Sequence, residues 1–364
     1  MQSSLYYQLA LSMVPQIGPT HAKKLLELFE PNEVFKQPLH QLEMIDGIGA
    51  IRARSIKEFN LHKEVETEFE FISKHRIKPI FITDKNYPKR LLHCADSPIL
   101  LYYKGDTELN AQRMIAIVGT RLHTDYGKQF TELLVKHLSN YNVSVVSGMA
   151  YGIDAVAHSA SLKYGAATIG VLAHGLNEIY PPKHKILATE MLKKSGGLLT
   201  EFQHRAKPDK FNFVKRNRIV AGMTDGTIVI ESREKGGSLI TASLAESYNR
   251  ELFALPGRVS DHRSSGCNEL IKNNKAIMIT NPADITNHFF WDVSAKKNIE
   301  ALTTELTEQE IKVLKLLASS ESTHIDQIRS QFNMKNGELS AIILNLELEH
   351  RIVSLPGNFY KSCL

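Results

Sequence analysis

The stretch KFNFVKRNRIVAG, Lys210 to Gly222, gathers four cationic side chains and two phenylalanines within nine residues and then turns apolar. With a helix starting near Phe211, Phe213 and Arg216 lie three apart and Phe213 and Asn217 four apart. Ring, guanidinium and amide then share one face. Lys210 reaches toward the same side, while Ile219, Val220 and Ala221 supply the inward face a turn later. Cations follow phosphates, and an aromatic face stacks on an unpaired base, worth about 1–3 kcal/mol per base. The mixture therefore suits a single-stranded nucleic acid. Duplex DNA would use the charges but hides its base faces. A small phosphorylated molecule needs Arg216 but has less use for Lys207, Lys210 and Lys215 together. The plainer alternative is a solvated basic helix end with Phe211 and Phe213 in the core.

Such a helix needs a sheet to aim it. From about residue 112, apolar strand-like runs recur: MIAIVG, VSVVSG, TIGVLAHG, GLLTEF, GTIVIES, ELFALPG and AIMIT. Helical patterns alternate with them, as in YGKQFTELLVKHLSN, GIDAVAHSASLKYG and TASLAESYN. Runs apolar enough to be covered on both faces, alternating with helices, predict an α/β fold with a doubly wound, mostly parallel sheet. Ligands of such sheets sit outside the carboxyl ends of the strands, where glycine turns enter helices. Three turns qualify. AIVGTRLHTDYG places Gly119, Thr120 and Arg121, and its lack of GxGxxG argues against a dinucleotide pocket. VSGMAYGIDAVAH allows close backbone approach. EKGGSLITASLAES puts Gly236 and Gly237 ahead of Ser238 and Thr241 at a helix N-terminus, where amides and the helix dipole favour an anion. Asp154 and His158, four apart, are expected to share a structural hydrogen bond rather than bind a metal. His174 and His184, in HGLNEIYPPKH, are expected in a loop closing over the sheet edge.

The ends of the chain differ from its middle. Residues 1–75 read as a helical domain. Its loops VPQIGPTHAKKL and IDGIGAIRARSI lead from tight glycine turns into basic helices. A helix-hairpin-helix unit uses such turns to offer N–H groups to phosphate; a small helical domain with tight corners would look the same. Residues 76–291 hold the sheet, 292–306 read as a polar linker, and 307–364 follow the order of a winged helix, with a strand pair turning at Pro356–Gly357. The 364 residues carry a mild net charge of +5, which permits a polyanionic partner without demanding one. Cys94, Cys267 and Cys363 lie far apart and suggest neither a zinc site nor a disulfide framework. The sequence shows no export signal or membrane span, so a cytoplasmic protein is expected.

A set of motifs in fixed order, YPKRLLHCADSPILLYYKG, IAIVGTR, VVSGMAYGIDAVAH, TIGVLAHGLNEIYPP, FNFVKRNRIVAG, GGSLITASLAE, FALPG and SGCNELI, resembles the DprA (Smf) family, bacterial DNA-processing proteins of natural transformation. The resemblance is dense over about residues 80 to 280. It implies an extended Rossmann fold that forms a homodimer, binds single-stranded DNA and loads the recombinase RecA onto it, with no catalytic activity, cofactor or metal. By motif, it implies DNA contacts from Gly119, Thr120 and Arg121, from Lys210, Phe213, Arg216, Asn217 and Arg218, and from Gly237 and Ser238. One departure is Gly236, where many relatives carry a Ser-Gly-Ser turn. A rival reading is a nucleoside-monophosphate phosphoribohydrolase of the lysine-decarboxylase-like group, in which Gly236, Gly237, Thr241 and Glu246 would mimic that group's PGGxGTxxE. The presumed recognition helix of the winged segment, about 336–350, carries Glu338, Glu347 and Glu349 and no lysine or arginine. A protein-contact role is expected there, since duplex binding rests on cationic contacts.

Overall fold

A computed structural model describes residues 4–194, 196–291, 306–320, 322–332, 334, 336–348, 351–355 and 357–362. The chain divides into two compact units, Met1–Phe290 and Trp291–Leu364. Of the expected linker, residues 292–305 lie outside the described residues.

The first unit opens with six helices: α1 (Ser4–Met13), α2 (Pro19–Leu26), α3 (Pro31–Val34), α4 (Leu39–Glu43), α5 (Gly49–Lys57) and α6 (His62–His75). Their inward faces bring Leu9, Leu25, Val34, Leu42, Ile56 and Val65 into one buried cluster. Gly47, in the turn before α5, and Gly49, its first residue, take positive φ of 81° and 62°, a conformation that favours glycine. Most of the basic side chains around these turns bind the protein itself, with Arg54 left exposed. Lys24 bridges to Asp46 at 2.5 Å, and Arg52 donates to Gly47 O at 3.2 Å. Lys57 donates to Phe35 O and Gln37 O, and Lys23 to Cys94 O and Ala95 O.

A nine-stranded sheet follows, with strands β1 (Lys78–Phe81), β2 (Leu100–Gly105), β3 (Met114–Val118), β4 (Ser144–Ser147), β5 (Thr168–Val171), β6 (Gly196–Thr200), β7 (Gly226–Val229), β8 (Glu251–Ala254) and β9 (Ile277–Met278). Their order is β1-β2-β6-β5-β4-β3-β7-β8-β9. The seven apolar runs of the sequence all become strands, and these seven pair in parallel. The sequence reading did not anticipate β1 and β2, which add to β6 in antiparallel fashion, with Tyr103 opposite Leu199. Strand β2 is a wall between two cores. Leu101 and Tyr103 face the sheet core, while Leu100 and Tyr102 face the helical cluster, together with Phe81. Helices α7 (Lys89–Leu92), α8 (Asp125–Ser139), α9 (Ile153–Tyr164), α10 (Lys185–Lys193), α11 (Lys210–Gly222), α12 (Gly237–Ser247), α13 (Ser265–Lys272) and α14 (Ala283–His288) connect the strands or cover them. The chain winds outward from β3 through β4 to β6 on one side and from β7 to β9 on the other. The carboxyl ends of β3 and β7, which pair directly, therefore flank the crevice where such sheets take ligands.

The second unit has α15 (Glu308–Ala318), β10 (Thr323–His324), α16 (Ile325–Phe332), α17 (Asn336–Leu348), β11 (Ile352–Leu355) and β12 (Phe359–Ser362), with Val313, Leu317, Ile328 and Leu346 in its core. Gly357 makes the strand turn with φ of 83°; Pro356, Glu349, His350 and Cys363 lie outside the described residues. No helix among the described residues is long and apolar enough to cross a membrane.

The expected Asp154–His158 bond does not form. His158, fully buried on α9, instead places Nδ1 2.7 Å from Thr168 Oγ1, and the Thr168 hydroxyl donates to Val145 O at 3.0 Å. That chain pins α9 to β4 and β5. Burial, helped by His184 and Arg216, drives the His158 pKa from 6.5 to about 3. The unfolded chain therefore takes up this proton below pH 6.5 while the folded protein resists it. Stability should fall as pH drops through that window, by up to about 1.4 kcal/mol per pH unit from this group. Urea denaturation across the window should show the decline, and His158→Gln should remove this component of the pH dependence.

Candidate nucleic-acid interface

The turn after β3 is held from both sides. The Thr120 N–H donates to Glu231 O at 2.8 Å, and Thr120 O accepts from the Ile153 N–H at 3.2 Å. A Cβ at Gly119 would lie 2.6 Å from Ile153 Cγ1, so the close approach to α9 requires glycine there. This clamp presents Arg121 outward, its guanidinium carbon 5.6 Å from the centroid of the Phe213 ring, within cation–π range.

Helix α11 starts where the Asp209 carboxylate accepts from the Phe211 N–H at 2.8 Å, an N-cap that fixes the direction of its first turn. Neither phenylalanine is in the core. Phe211 is 70% exposed, with Lys210 Nζ 4.9 Å over its ring. Phe213 is half-buried and meets Tyr180, ring centroids 5.8 Å apart. Tyr180 is presented by the loop containing His174, whose Nδ1 donates to Gly175 O at 2.8 Å and whose Nε2 accepts the Tyr180 N–H at 3.2 Å. Burial lowers the His174 pKa, so the ring is neutral and structural. His184 likewise holds Met149 O at 2.9 Å. Among the described residues, no group of three or more His, Cys, Asp or Glu could hold a metal ion.

Arg216 lines the crevice but is not a free rim charge. It is 4% exposed, and its Nη1 donates to Val171 O at 2.5 Å and also to Gly148 O. The guanidinium thus ties α11 to the carboxyl ends of β4 and β5. Desolvation lowers its pKa to about 10, with Asp154 opposing the shift and Arg121 adding to it, so it stays charged at neutral pH. Asp154 is equally buried and accepts from the Gly148 and Ala150 N–H groups at 3.1 and 3.2 Å. Burial raises its pKa against the pull of Arg216.

Arg218 is the one implied contact that the fold separates from the others. Two residues beyond Arg216, it is turned about 200° around the helix. There it is buried, 2.5 Å from Glu201 Oε2, and bonded to Asp96 O. It does not line the crevice.

At the third turn, the Ser238 hydroxyl donates to Ser232 Oγ at 2.8 Å, so it serves the fold rather than a ligand. The departure at Gly236 has a steric cause here: a Cβ would overlap Ser232 Oγ. Gly237 has open space around it, and with Ser238 it lines the cleft at the N-terminus of α12, the end that carries unbonded amides and the positive pole of the helix dipole.

These residues enclose a cleft of about 700 Å³, lined by Gly119, Thr120, Arg121, Lys210, Phe213, Arg216, Asn217, Gly237 and Ser238 among others. Sequence reasoning missed three more lining residues, Tyr180, Arg233 and Lys235. The signals were present, as a tyrosine before two prolines and as cations just ahead of the glycine pair. Glu246 is elsewhere. Nine residues after Gly237, it sits about 13 Å along α12, exposed and 3.4 Å from Lys275.

The sequence model of the DNA recombination-mediator protein A family matches residues 78–290, and that of the DprA winged helix domain matches residues 299–358. This chain belongs to the DprA/Smf family. Protein Smf of Escherichia coli is 34% identical over 281 residues, covering 76% of this chain and 75% of that protein. The DNA processing protein DprA of Bacillus subtilis is 44% identical over 197 residues, 54% of this chain and 66% of that one. Among solved structures, DprA of Streptococcus pneumoniae superposes with a TM-score of 0.67 at 32% identity, covering 79% of this chain and 98% of that chain. DprA of Helicobacter pylori, described for its single-stranded DNA binding mode, gives 0.54 at 33% identity over 60% of this chain and 97% of that chain.

The Arg216 strut predicts the effect of a small change beside it. At Gly148 a Cβ would overlap the guanidinium, so Gly148→Ala should displace it and destabilise the protein by about 1–3 kcal/mol, as overpacking does. Thermal unfolding of the variant tests this.

Proposed function

We propose that this DprA/Smf protein holds single-stranded DNA in the cleft between β3, β7, α11 and α12, protects incoming strands and loads a RecA-type recombinase onto them during natural transformation. It acts in the cytoplasm as a homodimer and breaks no bond in the DNA. One observation carries the binding part: the Arg121 guanidinium lies over the Phe213 ring in a cleft that also holds Lys210, Lys235 and the α12 amides. Cations can follow the backbone while Phe213 and Tyr180 offer faces to bases. The family supports the same reading, as does the single-stranded DNA binding described for the Helicobacter pylori relative. The phosphoribohydrolase alternative needs Glu246 beside the glycine turn, and Glu246 stands at the far end of α12.

The winged unit fits a protein contact better than a duplex. The outward residues of α17 include Glu338, Ser340, Ala341, Leu344 and Asn345, and the strands expose Val353, Leu355 and Phe359. None is cationic. Residues 306–364 alone should show no submicromolar affinity for duplex DNA at physiological salt, and a gel-shift titration with that segment decides the point.

Single-strand affinity should fall with salt by about 0.7 log units per decade for each phosphate neutralised. Arg121→Ala should reduce that slope, and Phe213→Ala should weaken binding by about 1–3 kcal/mol with the slope nearly intact. Arg216→Ala should lower both affinity and stability, because the strut goes with the charge. Salt titrations by fluorescence anisotropy measure all three; unchanged affinities would remove these residues from the site. Release of adenine from AMP would instead favour the enzyme.

A further inference from the structure

The cleft does not end at its own rim. Three loops leave the carboxyl edge of the sheet side by side, after β3, β7 and β8, and the chain ties them together. The Thr120 N–H bonds Glu231 O, and the Gly266 N–H bonds Ser232 O at 2.8 Å. The Glu234 N–H bonds Ser265 Oγ at 3.1 Å. The third loop, between β8 and α13, is itself ordered. Asn268 clamps both the N–H and the carbonyl of Gly257, and the Asp261 carboxylate accepts the Arg263 N–H at 2.9 Å. From this frame Arg258 and His262 stand in solvent, Arg263 is half-buried, and Val259 is 97% exposed.

Two further exposed side chains follow Arg121 in the chain. Leu122, 67% exposed, lines the cleft next to Arg121. Tyr126, 50% exposed on the first turn of α8, has its ring fixed where its hydroxyl donates to Pro256 O at 3.1 Å. An aromatic ring held against a loop that carries Arg258 and Arg263, with Leu122 and Val259 exposed beside them in sequence, has the composition of a single-strand platform. An ordinary solvated loop has no need of a tethered, half-exposed tyrosine or a fully exposed valine.

We propose that the β8–α13 loop, with Leu122 and Tyr126, forms a second subsite for single-stranded polynucleotide. A strand seated in the cleft leaves it over Arg121 and Leu122, lays a base on Tyr126, and is held at its phosphates by Arg258 and Arg263. This rests on the reading of the cleft as a single-strand site.

The test compares thymidine oligonucleotides of about 4 and about 16 nucleotides, within the usual range of single-strand site sizes, on the full-length protein. Arg258→Gln combined with Arg263→Gln should weaken the longer strand about tenfold and reduce its salt slope by about 1.4, two phosphates' worth. The shorter strand, filling only the cleft, should bind the double variant as it binds the wild type. Tyr126→Leu should weaken only the longer strand, with its slope preserved. Equal effects on both lengths, or none on either, would overturn the second subsite. Phe213→Ala keeps the two readings apart. It should weaken both lengths, whereas indifference to Phe213, or failure of the short strand to bind at all, would count against the cleft itself.

Discussion

A guanidinium sealed inside the protein organises this site. Arg216 bonds the carbonyls at the ends of β4 and β5, and those bonds hold α11, and Phe213 with it, against the carboxyl edge of the sheet. Burying such a group is costly unless its hydrogen bonds are made and its charge is answered. Here carbonyl dipoles provide the bonds and Asp154 stands by as the counter-charge. The exposed members, Arg121 and Lys210, can then remain loose and hydrated because a buried one keeps the frame.

The topology explains why the frame lies where it does. Winding outward in both directions from β3 leaves the ends of β3 and β7 bordering a gap that no crossover covers. Glycine at 119 lets the first turn sit against α9, and glycine at 236 lets the third turn sit against Ser232. The missing side chains bring backbone amides close to the cleft, and amides are the part of a protein that meets an anion without adding charge of its own.

Most of the sheet was legible because each of its seven parallel strands is an apolar run between helical patterns, a signal that survives without tertiary information. The pair β1 and β2 was not. Their four and six residues carry no periodicity of their own, since LLYY is apolar at every position because each of its faces packs on a different core. Within the site, helical spacing rightly placed Phe213, Arg216 and Asn217 together. It should also have set Arg218 apart, two residues on from Arg216; the family motif, read as a block, concealed that. Spacing gives angle but not depth, so Arg216 read as a surface charge although it is a strut. Tyr180 was missed because its place beside Phe213 depends on a loop from another part of the chain.

The doubled role of β2 limits how the molecule can be divided. Its Leu100 and Tyr102, with Phe81, complete the packing of the first six helices. Cutting the chain after His75 would therefore not free a clean Rossmann piece. It would lay bare a greasy seam along the sheet margin, and the remnant would be prone to clumping through that seam however sound its cleft remained.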